Sequence, residues 1–213
     1  MSRAAIAARA ERLVARLKAL YPDAGCELRY GSALELLVAT ILSAQCTDRR
    51  VNMVTPALFA KYPSVRDYAA ADPVELEALI HAAGFFRNKA KAIVGLARAL
   101  LADHGGEVPQ AMDDLVKLPG VGRKTANVLL SVWFGRQAIP VDTHVQRLAG
   151  RLGLTKETDP VAIEMALQNI FPETAWSFAA TALIWHGRRV CFARNPQCAS
   201  CTLRPDCPFP ERR

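Results

Sequence analysis

The chain has 213 residues, 51% of them hydrophobic and 22% charged, with a formal net charge of +7. Such a composition buries a sizeable core and excludes disorder, and the length suits one large domain or two small ones at ~100–200 residues each. No apolar run approaches the ~18–20 residues of a membrane span; stretches such as Ala126 to Leu130 give way to polar residues within a turn or two.

Residues 2–20 are rich in Arg and Ala and poor in acids, the makeup of a transit peptide. Ile6, Leu13, Val14, Leu17 and Leu20 nevertheless recur at helical spacing, which predicts a structural amphipathic helix. Without a long apolar h-region, secretion is not expected. Leu34, Leu37, Val38, Ile41 and Leu42 form the next stripe. Asp72-Pro73-Val74-Glu75 marks a helix start, with Asp as N-cap, Pro at N1 and Glu at N3. Leu76, Leu79 and Ile80 follow, and Gly84 supplies a C-terminal cap. Ile93, Val94, Ala97, Leu100 and Leu101 make another stripe that His104-Gly105-Gly106 ends. Asp159-Pro160 begins a helix carrying Ile163, Leu167 and Ile170. β alternation, repeats and low-complexity linkers are not found, so the expected fold class is all-α, with roughly ten helices.

Two loops interrupt the pattern. Leu118-Pro119-Gly120-Val121-Gly122 joins a short helix around Asp113–Lys117 to a longer one starting near Arg123. Pro119 stops the first helix, the glycines permit a tight turn and close backbone approach, and Val121 packs the turn onto the core. The N–H groups and dipole of the following helix suit a phosphate. Gly120-Val121-Gly122 is no dinucleotide fingerprint, because no strand precedes it and position 125 is Thr. Lys124-Thr125 is no P-loop ending, because Arg123 stands where that motif needs Gly. A purely structural helix–turn–helix stays open. The second loop, Ile139-Pro140-Val141-Asp142, leads into a helix with Val145, Leu148 and Leu152. Taken alone, Lys124 is a solvated helix lysine and Asp142 an N-cap.

Charge and cysteines both concentrate at the end of the chain. Residues 188–213 hold six arginines (188, 189, 194, 204, 212 and 213) against Asp206 and Glu211, leaving +4 there; the 21 basic and 18 acidic groups elsewhere leave +3. A basic segment in an otherwise nearly balanced chain points to a polyanionic partner. Cys26 and Cys46 are isolated beside apolar patterns and read as ordinary packing. Cys191, Cys198, Cys201 and Cys207 are separated by 6, 2 and 5 residues. Clustered cysteines in a chain without a signal peptide read as metal ligands rather than disulfides, and four thiolates suit Zn²⁺ or a [4Fe–4S] cluster.

Leu118-Pro-Gly-Val-Gly-Arg-Lys-Thr-Ala-Asn127, Val141-Asp-Thr-His144 and the Cys-x6-Cys-x2-Cys-x5-Cys loop together resemble the endonuclease III family of base-excision DNA glycosylases. Ser43-Ala-Gln-Cys-Thr-Asp48 and Gly84-Phe-Phe-Arg-Asn-Lys89 resemble family segments too, so the likeness runs in order from about residue 30 to 208. It implies two helical domains flanking a DNA-binding cleft. Residues 26–136 would form a six-helix barrel domain with a helix–hairpin–helix at about 111–130. Residues 1–25 and 137–213 would form an iron–sulfur domain with its cluster loop at 191–207. The resemblance also implies that Lys124 is the nucleophile, Asp142 the essential carboxylate, and the four cysteines the ligands of [4Fe–4S]. Gly120, Gly122, Arg123, His144 and Arg194 would contact DNA, with Gln45 and Phe85 as candidates for insertion into the vacated stack. Alternatively, Phe85 is a core residue at a helix end.

The implied enzyme is a monomeric, cytoplasmic glycosylase and lyase acting on double-stranded DNA with damaged bases or abasic sites, away from membranes. It would remove oxidised pyrimidines through a lysine Schiff base and cleave 3′ to the abasic site by β-elimination. A lysine with its ordinary pKa of ~10.4 is protonated at neutral pH, so this chemistry demands an environment that favours the neutral amine. Two rivals share the scaffold. An adenine mismatch glycosylase is disfavoured by the presence of Lys124 and by a chain that stops six residues after Cys207. A non-catalytic iron–sulfur DNA-binding protein is separable by a nicking assay.

Overall fold

The computed structural model describes residues 3–210; Arg212 and Arg213, counted above in the basic segment, lie outside them. The described residues form eleven α-helices and four short 3-10 turns, with no strand. The chain divides into two compact units, Glu27–Phe134 and Met1–Cys26 with Gly135–Arg213.

The first unit is built around α2 (Ala33–Leu42), which starts on a Ser32 N-cap. Its sequence reads as a stripe, yet eight of its ten residues are buried. A helix apolar nearly all round belongs in a core, and the hydroxyl of Thr40 is satisfied by Leu36 O at 2.7 Å. Around α2 lie α3 (Asp48–Lys61), α4 (Val65–Ala69), α5 (Pro73–Ile80), α6 (Phe86–Asp103), α7 (Met112–Leu115) and α8 (Arg123–Val132). Helix α2 packs on α3, α6 and α8, and α4 and α5 pack on α6. Asp72 Oδ1 caps α5 through Val74 and Glu75 N–H. The five-residue α4 has no apolar stripe; a capping box between Ser64 and Asp67 starts it.

The second unit contains α1 (Arg3–Leu20), α9 (Thr143–Arg151), α10 (Pro160–Gln168) and α11 (Trp176–Arg189). Leu13 and Leu17 of α1, Val145 and Leu148 of α9, Ile163 and Leu167 of α10 and Leu183 of α11 share one core. Helix α9 packs on α10 and α11, and α1 on α11. Gly187 makes the α9–α11 contact close: a Cβ there would stand 2.8 Å from His144 Nδ1 and 3.0 Å from Arg147 Nη2. Among the described residues no helix is long and apolar enough to cross a membrane.

Candidate nucleic-acid interface and cysteine loop

The hairpin of the first unit is a one-turn helix, a turn and a longer helix. Val121 N–H donates to Leu118 O at 3.0 Å. With Pro119 at the second position and Gly120 at φ +78° in the third, this has the make-up of a type II turn. The turn rests on small residues of α6. A Cβ on Gly120 would meet Ala92 Cβ at 2.9 Å, and one on Gly95 would meet Pro119 Cβ at 3.2 Å. Leu118 and Val121 are buried and anchor the loop from both sides. Gly122 differs: its φ of −89° is ordinary, and a Cβ there would meet nothing within 4 Å. It N-caps α8 without a side-chain bond, so no cap side chain covers the start of that helix. Lys124 is exposed in that first turn, beside half-buried Arg123. An open groove next to the turn is lined by Arg87, Lys91 and Arg98 with Glu77, Pro119 and Gly120.

Gln45 and Phe85 also belong to this unit. Both have left-handed backbones, at φ 53° and 48°. Phe85 is 63% exposed, which disposes of the core-residue alternative, and Gln45 is exposed as well. Cys46 is half-buried in the same loop, with its thiol toward Thr47 O at 3.8 Å.

The second unit holds Asp142, His144, Arg194 and the four cysteines. Asp142 is the N-cap of α9, its Oδ1 accepting from the N–H groups of His144 and Val145, each at 2.8 Å. Both bonds land on Oδ1, which leaves Oδ2 outside the cap. His144 Nδ1 lies 3.0 Å from Arg147 Nη2, so the imidazole accepts there as a neutral ring. Burial pushes its pKa below the ordinary value; Asp142 opposes that, and Arg147 and Arg188 reinforce it.

Helix α9 then runs from Asp142 to the cysteine loop. Arg147 Nη2 donates to Gly187 O and Cys191 O, both at 3.0 Å. One turn further, Arg151 reaches Cys191 Sγ at 3.3 Å, Phe192 O at 2.7 Å and Ala193 O at 2.9 Å. From α11, His186 Nε2 lies 3.4 Å from Cys201 Sγ, while its Nδ1 meets the Tyr21 hydroxyl at 3.0 Å. Burial pushes the His186 pKa down to about 4. From α1, Arg12 and Arg16 clamp the two oxygens of Asp206 at 2.8 and 2.9 Å. Desolvation raises the Asp206 pKa, and the two arginine bonds outweigh it to hold the carboxyl below its usual range.

None of the six cysteines is in a disulfide. Cys191, Cys198, Cys201 and Cys207 line one pocket with Leu148, Leu152, Val190, Leu203 and Phe209 among its walls. Burial raises the Cys201 and Cys207 thiols above their ordinary pKa. Among the described residues no group of three or more His, Cys, Asp or Glu is set to hold a single metal ion. Arg194 is exposed on this loop beside Asn195, which has φ 50°. Arg189 lies over the Trp185 ring at 3.9 Å. Sequence reasoning missed Arg147, Arg151, His186 and the Arg12–Arg16 pair. For the first two a signal existed, since they follow Asp142 by five and nine residues on one helix.

Residues 38–173 match a family described as HhH-GPD superfamily base excision DNA repair protein, and this sets the class. Endonuclease III of Synechocystis sp. is 54% identical over 201 residues, covering 94% of this chain and 92% of that protein. Endonuclease III of Bacillus subtilis is 48% identical over 195 residues, covering 91% and 89%. A solved structure of a trapped endonuclease III–DNA covalent intermediate, an estranged-adenine complex, matches with a TM-score of 0.93 at 43% identity, covering 100% of this chain and 98% of that one. The chain therefore belongs to the endonuclease III family of the HhH-GPD superfamily. Membership makes it a base-excision repair enzyme, a DNA glycosylase with abasic-site lyase activity.

Proposed function

We propose that the chain removes oxidised pyrimidines from duplex DNA in the cytoplasm, with Lys124 as nucleophile and Asp142 as the essential carboxylate. The observation that carries this reading is the hairpin: a turn seated on α6 offers the uncapped start of α8 with Lys124 exposed in its first turn. The positive end of a helix binds phosphate, and the open space beside Gly122 lets a phosphate oxygen approach the backbone. Arg123, His144 and Arg194 add contacts; His144 does so through Nε2, since Arg147 occupies Nδ1.

The damaged nucleotide leaves the stack, and Gln45 and Phe85 fill the gap. The Lys124 amine bonds to C1′ as the glycosidic bond breaks, and the base departs with a proton. Asp142 stabilises the positive charge on the sugar. The C1′–O4′ bond then opens, O4′ taking up a proton, to give the iminium, and loss of its C2′ proton breaks the C3′–O bond and expels the 3′ phosphate. Water hydrolyses the adduct and returns the lysine. A similar protein solved as a trapped covalent intermediate with DNA is what a lysine nucleophile would yield.

Four sulfurs around one largely apolar pocket fit a [4Fe–4S] cluster. The donors are all soft thiols, and buried thiols ionise when a metal centre supplies the compensating charge. When bound, that group supplies structural stability to the loop. The loop's own residues present Arg194 to DNA.

A panel of duplexes carrying oxidised pyrimidines or an abasic site, with base release and strand cleavage scored separately, tests this reading. Lys124→Gln should lose both activities. Asp142→Asn keeps the cap, because Asn and Asp cap equally well, so its stability should lie within about 0.5 kcal/mol of wild type while base release falls roughly 100-fold or more. Base release by Lys124→Gln at the wild-type rate would overturn the assignment.

A further inference from the structure

Lys89 is a lysine where a lysine is costly. It sits in the first turn of α6, only 5% exposed, and burial lowers its pKa from the ordinary value. A buried ammonium needs acceptors, and buried acceptors left without their donor cost stability in turn. What the lysine does beyond that depends on which groups it holds.

It holds two carbonyls from two different turns. Nζ donates to Leu42 O at 2.8 Å and to Ala83 O at 2.9 Å. Leu42 ends α2, three residues before Gln45. In a continuing helix the Cys46 N–H would serve Leu42 O, but it bonds Ser43 O at 3.1 Å instead. Ala83 ends the 3-10 turn His81–Ala83, two residues before Phe85. The backbone N–H of Lys89 also donates to Phe85 O at 3.1 Å, so one residue brackets the Gly84–Phe85 bend from both sides. Gln45 and Phe85 are two of the three non-glycine residues with positive φ among those described. Such backbones persist only where their surroundings over-determine them, and Lys89 is bonded to the frame of both.

We propose that Lys89 is a positioning residue that ties the Gln45 turn and the Phe85 turn into one two-pronged wedge, so that both side chains enter the vacated stack in register. This rests on the wedge reading given above. The tie matters when a stacked, paired duplex must be opened, and little when the strand opposite the lesion is already unpaired.

The test is single-turnover base release from one lesion in two contexts, a fully paired duplex and a bubble with mismatched flanks. Lys89→Met keeps the volume and removes the donors. It should raise the bubble-to-duplex rate ratio by roughly tenfold, the scale of a wedge misplaced by a fraction of an ångström. Gln45→Ala and Phe85→Ala run alongside. If neither of them moves the ratio, the wedge reading fails, and the Lys89 proposal with it. If they move it and Lys89→Met leaves it unchanged, or slows both contexts equally, Lys89 is structural only and the proposal alone is overturned. Lys89→Gln, which keeps one donor, carries the same criteria if the Met variant does not fold. Failure of both to fold would also assign Lys89 to structure and overturn the proposal.

Discussion

The two hairpin glycines look alike in sequence and differ in what the fold asks of them. Gly120 has φ +78° and a neighbour 2.9 Å from where its Cβ would stand, whereas Gly122 has neither constraint. Gly120→Ala should therefore destabilise the protein by about 1–3 kcal/mol, read from urea unfolding. Gly122→Ala should leave the midpoint nearly unchanged and weaken binding to duplex DNA, because its methyl enters the space before the α8 N–H groups. Equal loss of stability in both variants would refute this. At the other end of the candidate chemistry, His144 should titrate below 6.5, its burial resisting the charge that Arg147 already opposes. A folded-state pKa lying below the unfolded one contributes stability that is complete above pH ~6.5 and is lost as pH falls through the folded value. Carbon-bound proton shifts of His144 followed by NMR from pH 8 to 4 check the sign; a midpoint above 6.5 would contradict it.

Helix starts were legible where the signal was local. Asp72-Pro73 and Asp159-Pro160 announce α5 and α10 because a capping carboxylate and a proline at N1 act within a single turn. Helix α4 was not legible, since five residues carry no period and only the Ser64–Asp67 box marks it. The stripe read in α2 under-described it, because periodicity cannot distinguish a one-sided helix from one covered on all sides. The partners of Arg147, Arg151 and Lys89 were beyond reach for a related reason. Long cationic side chains default to solvent, and their acceptors here are backbone carbonyls: Cys191 O, Phe192 O and Leu42 O, each more than 35 residues away in sequence. Helix α9 links the Asp142 cap to the cysteine loop, and its seat on α11 depends on Gly187 having no side chain. Gly187→Ala should overpack that contact and cost about 1–3 kcal/mol. It should also shift the His144 resonances; a variant with wild-type Tm and unmoved His144 signals would show that the contact does not position α9.

At the scale of the molecule, family and fold class could be read from five short motifs in the right order, since glycine turns, cap residues and ligand spacings are local chemistry. The supports that hold them were not readable: the Arg12–Arg16 clamp on Asp206 joins α1 to the cysteine loop across 190 residues or more of chain. The central claim is that a DNA repair enzyme of this family uses Lys124 to form a covalent bond to the sugar. Borohydride reduction during reaction with a duplex containing an oxidised pyrimidine, followed by mass mapping of the DNA-linked peptide, tests it most directly. Wild-type protein should be trapped with the adduct on the peptide containing Lys124, and Lys124→Gln should not be trapped. An adduct on a different residue, or equal trapping of the Lys124→Gln protein, would contradict the account.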